Sequence, residues 1–286
     1  MIRIESHKSA SDFKGHTQAF LMQREAENCV IIGLIETMLA DPNLYKEPML
    51  LSIHDGDTCV GASWRTPPHP LGLTTLNTES TDALYKYLID QNYTFPTVFG
   101  PRPTIDQFVE AWTSQSQQKI SRRMHQRIYS TTSSHHPFPP TGRLRLADAR
   151  DLDLLRDWSS RFATECHLGS FSEDFFTKQA QTAINNKSRF LWEVDGRVVS
   201  MVGSTGKTPN GIRIGYVYTP HEFRGKGYAS MAVAQLTQDR INAGNRFCFL
   251  YTDLDNPTSN SIYQRIGYRP IGDSMHVTFE NLNAHS

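Results

Sequence analysis

The sequence predicts a mixed α/β protein with two similar domains, each a mixed, mostly antiparallel sheet flanked by helices. Three observations support this prediction. The chain has 286 residues, enough for two domains of about 140 residues each. A segment rich in Ser, Thr and Pro lies near its middle, and a similar hairpin signal occurs on each side of that segment.

The segment 130–142 reads STTSSHHPFPPTG and has neither helical nor strand periodicity. Such a composition is typical of a linker. We therefore predict one domain at residues 1–129 and a second at residues 143–286. His135 and His136 could bind a metal, but no acidic or cysteine partners lie nearby. The linker interpretation is favoured, and we assign no metal site.

A weak internal repeat supports the two-domain prediction. Residues 51–56 read LSIHDG and residues 191–196 read LWEVDG, and an apolar segment follows each. An Asp-Gly pair between apolar segments indicates a hairpin, because its turn needs a positive φ that both residues tolerate. Two copies of one fold explain the pattern, and two unrelated hairpins remain the alternative.

Within the second half, hydrophobic periodicity predicts an ordered series of helices and strands. An amphipathic helix is predicted at 147–163 and a second helix at 173–184. The following elements are strands at 189–194, 198–204 and 212–218, a helix at 227–242, a strand at 247–252, a helix at 258–266 and a strand at 275–279. This order implies a mixed sheet with helices on both faces.

Composition argues against several function classes. Lysine plus arginine equals aspartate plus glutamate at 29 each, so no net charge favours nucleic acid or an anionic membrane. The four cysteines lack the close pairing of zinc or redox motifs, and we expect reduced thiols. The longest apolar stretch, residues 29–39, is too short to span a bilayer, and the N-terminus does not resemble a secretory signal. We therefore expect a cytoplasmic protein.

The clearest functional signal is a predicted strand followed by a glycine-rich loop that opens a helix. Residues 224–229 read RGKGYA. Gly225 and Gly227 would let a ligand approach the backbone, and the N–H groups at the helix start would face an anion. Arg224 and Lys226 add positive charge. The alternative is an ordinary turn before a helix. The spacing fits neither a Walker loop nor a dinucleotide fingerprint.

This run resembles the Arg/Gln-x-x-Gly-x-Gly/Ala signature of the GNAT superfamily of N-acetyltransferases. Downstream, residues 256–268 read NPTSNSIYQRIGY, which resembles the second signature of that family. The resemblance covers roughly residues 143–280. It implies that the second domain is an intact GNAT-like domain and that the first is a degenerate copy.

The resemblance implies acetyl-CoA as the acyl-donor substrate. The strand backbone would pair with its pantetheine arm, the loop N–H groups would hold the pyrophosphate, and two asparagines would contact the pantetheine or adenosine end. The residues assigned to acetyl-CoA are Tyr216, Val217, Tyr218, Arg224, Gly225, Lys226, Gly227, Tyr228, Ala229, Asn256 and Asn260. For Asn260, helix capping or a solvent-facing side chain is the alternative.

The same resemblance implies that Tyr263 is the general acid that protonates the leaving thiolate, with packing against the sheet as the alternative role. A base must also deprotonate the attacking ammonium group. Glu165 is our candidate, and His167 and Glu193 are further ones, although each of these residue types is more often an exposed polar side chain.

The first half lacks the phosphate-binding signature, because residues 76–82 contain neither glycine nor a basic residue. We expect this copy to shape the acceptor cleft or to pack against its partner domain. The resulting hypothesis is an N-acetyltransferase acting on a primary amine, of a small molecule or a peptide. The alternative is a non-catalytic acyl-CoA-binding or sensor protein. No membrane or nucleic-acid partner is expected, and the sequence leaves a homodimer open.

Overall fold

The computed structural model describes residues 1–136, 141–166 and 171–281. The chain forms two compact units. The first comprises residues 1–128, 252–256 and 271–286, and the second comprises residues 129–251 and 257–270.

The first half of the chain begins with a strand and two helices that precede a strand meander. Its elements are β1 (Ile2–Ser6), α1 (Ala10–Met22), α2 (Cys29–Ala40), β2 (Met49–Asp55), β3 (Thr58–Arg65), β4 (Leu71–Leu73), α3 (Thr78–Asp90), β5 (Thr97–Pro101), α4 (Arg102–Gln115) and β6 (Gln118–Thr131). Strands β1 to β4 pair antiparallel in chain order, and β4 pairs parallel with β5.

The second half repeats this order element by element. Its elements are β7 (Arg143–Leu146), α5 (Leu152–Glu165), α6 (Glu173–Asn185), β8 (Arg189–Val194), β9 (Arg197–Thr205), β10 (Gly211–Tyr218), α7 (Tyr228–Asn242), β11 (Phe247–Asp253), α8 (Pro257–Ile266) and β12 (Arg269–Asn281). Strands β7 to β10 pair antiparallel, and β10 pairs parallel with β11. The predicted fold class, two copies of a mixed and mostly antiparallel sheet flanked by helices, is confirmed.

Most elements of the second half agree closely with the predicted ones. The first helix differs, because Asp148 caps a short 3-10 turn at Ala149–Asp151 and the α-helix begins after it. The hairpin between β8 and β9 turns at Asp195 and Gly196, whose φ values are 49° and 76°. Positive φ at both central residues is the turn that matches the twist of paired strands.

The last strand of the chain does not stay with its own half. Strand β12 pairs antiparallel with β5 from Ser274 opposite Pro101 to Thr278 opposite Thr97, so residues 271–286 belong to the first unit. The end of β6 is found in the second unit, where the Thr131 hydroxyl donates to the Gly267 carbonyl. The compact units therefore interleave along the chain, unlike the predicted uninterrupted domains at 1–129 and 143–286.

The sheet of the second unit is covered by apolar side chains on both faces. On one face, residues of α7 and α8 pack on Val202, Ile214 and Leu250. On the other face, residues of α5 and α6 pack on Leu191, Met201 and Tyr218. These are called the α7 face and the α5 face below.

Two further observations bear on the expectations from composition. All four cysteines are free thiols, and Cys29 and Cys248 are buried. Within the described residues, no helix is both long and apolar enough to cross a membrane.

Candidate active site

Strand β10 contains a bulge at the positions predicted to pair with a ligand. Gly215 lies opposite Gly203 and Tyr218 lies opposite Met201 on β9. Strand β10 therefore uses one residue more than its partner over this interval, as a β-bulge does. Tyr216 has a φ of 52°, a left-handed conformation that is uncommon for a residue with a side chain.

Beyond its first residues, β10 runs past its ladder with β11. The parallel ladder covers Gly211–Arg213 opposite Phe247–Phe249. The bulged end from Gly215 to Tyr218 continues beyond that ladder. An extended ligand could pair with backbone N–H and C=O groups along this edge, as an additional β-strand would. The predicted residues Tyr216, Val217 and Tyr218 all lie on this part of β10.

The glycine-rich loop leads directly into α7. Gly225 and Gly227 have φ values of 77° and 78°, which glycine adopts without strain. Gly227 is the residue that caps α7, and no side chain accepts a hydrogen bond from the helix start. An added Cβ at Gly225 would meet no atom within 4 Å. The helix start thus lacks a capping side chain from its own N-cap residue, and first-turn N–H groups of this kind are suited to binding an anion.

Glu165 lies at the end of α5 and is tied to the loop. Its carboxylate accepts a hydrogen bond of 2.6 Å from Arg224 and a longer one of 3.4 Å from the Tyr218 hydroxyl. Arg224 also donates to the Thr219 carbonyl. Burial, with a smaller effect of the Glu165 carboxylate, raises the pKa of Tyr218. The structure thus brings Glu165, Tyr218 and Arg224 together. Both carboxylate oxygens of Glu165, the candidate base, accept hydrogen bonds from the other two residues.

Tyr263 lies on α8 and is 8% exposed. It belongs to the apolar cluster against which Val217 and Tyr228 pack. Burial raises the pKa of Tyr263 strongly, and the neighbouring Cys166 thiol raises it further. The phenol is therefore protonated at neutral pH, which a proton donor requires.

The two predicted asparagines have different surroundings. The Asn260 side chain accepts a hydrogen bond of 3.1 Å from the hydroxyl of Tyr129, which is fully buried. This contact stabilises the position of α8 in the second unit and is neither a helix cap nor a solvent contact. Asn256 belongs to a segment of the first unit, and its contact with acetyl-CoA stays a prediction.

Glu193, a further base candidate, does not present an isolated carboxylate. Glu193 bonds Arg143 and Arg145 at 2.8 Å each, and these hydrogen bonds lower the pKa of its carboxyl. Arg145 in turn bonds Asp151, so Glu193 is part of an ion network on β7 and β8. His167 lies outside the described residues.

The corresponding loop of the first half is built differently. Strand β4 is three residues long, and α3 is capped by Asn77, whose side chain accepts from the Ser80 N–H. This side chain satisfies a helix-start donor that Gly227 leaves open in the second half. The absence of a phosphate-binding loop from the first half stays a prediction.

A histidine cluster in the first unit was not predicted from the sequence. Ligand atoms of Glu5, His7 and His16 lie within 4.8 Å of one another, a spacing that could hold a metal ion. Both ring nitrogens of His7 are already hydrogen-bonded, to Asp12 and to Ser52. His7 is therefore held in place by the protein's own groups. Glu5 lies on β1, His7 follows β1 and His16 lies on α1, so the turn from β1 into α1 brings the three residues together.

Sequence analysis also missed Arg189, at the start of β8. This arginine is 2% exposed, and its guanidinium stacks on the Tyr216 ring at 3.7 Å from the centroid. Burial lowers its pKa to about 10, opposed by a smaller effect of Tyr216. The available signal was alternation: Arg189 is two residues before the buried Leu191, on the same face of the strand.

Comparison with known proteins agrees with this geometry. The Acetyltransferase (GNAT) family model matches residues 152–268. A GCN5-related N-acetyltransferase from Sphaerobacter thermophilus is 15% identical, with a TM-score of 0.64 over 98% of this chain and 96% of that chain. A GNAT-family acetyltransferase from Colwellia psychrerythraea is 13% identical, with a TM-score of 0.57 over 97% and 100%.

A tandem GNAT protein from the clavulanic acid biosynthesis pathway covers 100% of both chains at 12% identity and a TM-score of 0.52. At these identities the likeness establishes the fold. No curated protein sequence matches the chain.

Proposed function

We propose, from the match of residues 152–268 to the GNAT acetyltransferase family model, that this protein transfers the acetyl group of acetyl-CoA to a primary amine. Acetyl-CoA supplies the activated acyl group. The observation that carries the proposal is the combination of a bulged, open strand end with an uncapped helix start, both in one unit.

The strand end supports binding of an extended donor. Gly215 to Tyr218 present backbone groups beyond the ladder with β11. A pantetheine arm carries amide groups that can pair with such an edge, as an added strand does. Because the contacts would be made by backbone atoms, the side chains of Val217 and Tyr218 are free to pack in the core.

The loop supports binding of the pyrophosphate. Consecutive N–H groups from Gly225 to Ala229 lie at the positive end of α7, where a negative charge is stabilised. The loop is exposed at Arg224, Gly225 and Lys226, so a phosphate can approach without displacing the core. Lys226 adds a compact positive charge at the same place.

Tyr263 is the proposed proton donor. Its hydroxyl is protonated at neutral pH, as an ordinary phenol is, and burial raises its pKa further. Glu165 is better suited to orient Arg224 and Tyr218 than to remove a proton, since both of its oxygens accept hydrogen bonds. We therefore propose Glu165 as a positioning residue and expect a water to carry the amine proton away.

Calorimetric titration with acetyl-CoA tests the donor site. The wild-type protein is expected to bind one equivalent, and Gly227→Glu is expected to lose binding because it puts a carboxylate at the proposed pyrophosphate site. Gly196→Glu is the matched control, since Gly196 also has a positive φ but lies in the β8–β9 hairpin, where its Cβ position is open. Equal binding by wild type and Gly227→Glu would contradict the assigned site.

Release of free thiol from acetyl-CoA, measured with a panel of amines, tests turnover. Amine-dependent release that Gly227→Glu abolishes and Gly196→Glu retains is the expected result. Tight binding without release for every amine would instead support a sensor that binds acyl-CoA without catalysis. Absence of binding by the folded wild-type protein would refute the proposed function altogether.

A further inference from the structure

Metal-ligating side chains converge in the first unit, where β1 leads into α1. One ligand atom from each of Glu5, His7 and His16 lies within 4.8 Å of the other two. Among the residues that the structure describes, no other group of three such side chains meets this spacing. Simple geometry then puts some point within about 2.8 Å of all three atoms, whereas zinc holds nitrogen and oxygen ligands at about 2.0 to 2.2 Å. Inward movement of each side chain by about 1 Å or less would complete three bonds to one ion.

His7 is oriented as a metal-binding histidine is. Its side chain is fully buried, and Nδ1 lies 2.7 Å from the Asp12 carboxylate. The hydrogen bond from His7 lowers the pKa of that carboxyl, so Asp12 is ionised at neutral pH and can only accept. Nδ1 therefore carries the proton, and the lone pair of the neutral ring is at Nε2. A carboxylate on the remote ring nitrogen is the arrangement that fixes the tautomer of zinc-bound histidines.

The hydroxyl that bonds Nε2 of His7 can be exchanged for an ion. Ser52 Oγ lies 2.7 Å from Nε2 of His7 and 2.8 Å from Nε2 of His54. A hydroxyl has one proton, so it can donate to only one of these nitrogens. Burial lowers the pKa of His54, which keeps that imidazole neutral and able to accept. Donation from Ser52 to His54 leaves the Nε2 lone pair of His7 for a metal ion.

His16 and Glu5 form the side of the cluster that solvent can reach. Their side chains are 39% and 33% exposed, so an ion can approach without unfolding of the core. Nδ1 of His16 lies 4.0 Å from a Glu5 oxygen, while Nε2 of His16 lies 3.7 Å from the Asp12 carboxylate. Asp12 thus lies beside one nitrogen of His7 and one of His16, which leaves the second nitrogen of each ring for an ion.

Glu5 supplies the negative charge that a divalent ion requires. Burial opposes its ionisation, but the hydrogen bond from Arg3 and the neighbouring charges outweigh burial and lower the pKa of Glu5. Arg3 donates to Glu5 Oε2 at 2.7 Å, in an exposed pair. Exposed ion pairs contribute little free energy, so a doubly charged ion can compete with Arg3 for this carboxylate.

We propose that the first unit binds one zinc ion through Glu5, His7 and His16, and that Asp12 orients the two imidazoles. Two imidazoles and one carboxylate suit zinc, whereas magnesium and calcium prefer oxygen ligands alone. Three protein ligands leave the fourth position of a tetrahedral ion for water. The ion would tie the end of β1 to α1. The inference does not depend on acetyl-CoA and holds whether or not the protein is an acetyltransferase.

Calorimetric titration with zinc chloride tests the site, on full-length protein dialysed first against EDTA and then against metal-free buffer. Wild type is expected to bind zinc and to give no heat of binding with magnesium chloride. His16→Gln should lose one equivalent or bind it at least about 100-fold more weakly, because loss of a ligand costs more than loss of a hydrogen-bond partner of a ligand. His69→Gln is the matched control, since His69 is also an exposed histidine of the first unit but lies outside the cluster.

Two further variants separate the ligands from the residue that orients them. Glu5→Gln should weaken zinc binding as strongly as His16→Gln does. Asp12→Asn keeps an acceptor for His7 but removes the charge, so a loss of about 10- to 100-fold is expected. Cobalt(II) adds a spectroscopic readout: wild type should show the strong visible absorption of a four-coordinate ion, and His16→Gln should lack it. Circular dichroism without metal checks that each variant is folded.

The outcomes also separate this inference from the proposed function. Absence of zinc binding by the folded wild-type protein, or equal binding by wild type and His16→Gln, would overturn the zinc site. Equal loss of binding in His69→Gln would overturn it as well, because the zinc would then lie elsewhere. Titration with acetyl-CoA is a separate measurement on the same protein, and only its failure would overturn the proposed acetyltransferase function.

Discussion

Substitution of Gly203 by alanine tests whether Arg189 is held as tightly as its contacts indicate. The added Cβ would lie 2.3 Å from Nη1 of Arg189, whereas ordinary van der Waals contacts begin at 3.4 Å. The guanidinium would therefore have to move by about 1 Å. The Tyr216 ring lies on the guanidinium at 3.7 Å, so this movement requires repacking of the bulge.

We expect Gly203→Ala to lower the free energy of unfolding by about 1 to 3 kcal/mol, the usual cost of overpacking a filled site. Gly215→Ala is the control. It makes the same change on the neighbouring strand, but its Cβ would meet nothing within 4 Å, so a change below about 0.5 kcal/mol is expected.

A double-mutant cycle with Arg189→Ala isolates the contact. Removal of the guanidinium should relieve the clash, so Gly203→Ala should cost less in the Arg189→Ala background by about 1 to 2 kcal/mol. Urea denaturation gives the four free energies, provided that the m values agree. Additive effects would refute the placement of Arg189 over Gly203.

Three further predictions concern catalysis, pH and the first half of the chain. Tyr263→Phe should lower kcat about 100-fold and leave the calorimetric Kd for acetyl-CoA within twofold, since it removes a proton donor and little else. Burial lowers the pKa of His276 from 6.5 to about 4. The neutral imidazole therefore contributes at most about 3 kcal/mol to the free energy of unfolding; this contribution is fully present above pH 6.5 and is lost as the pH falls toward 4. In urea denaturation, His276→Gln should make the free energy of unfolding depend less on pH in that window. Asn77→Ala should cost about 1 kcal/mol of stability through loss of a helix cap, while acetyl-CoA titration should be unchanged.

The sequence predicted the order of elements in the second half because each element has a clear local pattern. Strand β8 and helix α6 have alternating or helical spacing of apolar residues, and their observed bounds lie within a residue of the predicted ones. That β12 belongs to the first unit and the end of β6 to the second was not predictable in the same way. Strand β12 pairs with β5, and the choice between partners of similar pattern depends on contacts far apart in sequence.

The candidate site was predictable where function requires unusual residues. The sequence placed Gly225 and Gly227 in a loop directly before α7, and both adopt a positive φ there. The bulge at Tyr216 was not predicted. The alternating apolar residues that precede the bulge, Ile212 and Ile214, have the spacing of an ordinary strand and so give no sign of the extra residue. The ion pair between Glu165 and Arg224 was not predicted either, since it joins residues on separate elements.

The two halves share one order of elements but differ where the binding site is proposed. Both copies place a helix after the fourth strand of a meander. In the first copy that strand is short and Asn77 caps the helix with its own side chain. In the second, the strand is longer and bulged, and a glycine leaves the helix start open. Under the proposed function, the ability to bind an anion would depend on a few residues at the strand end and helix cap, and the fold itself supplies their position.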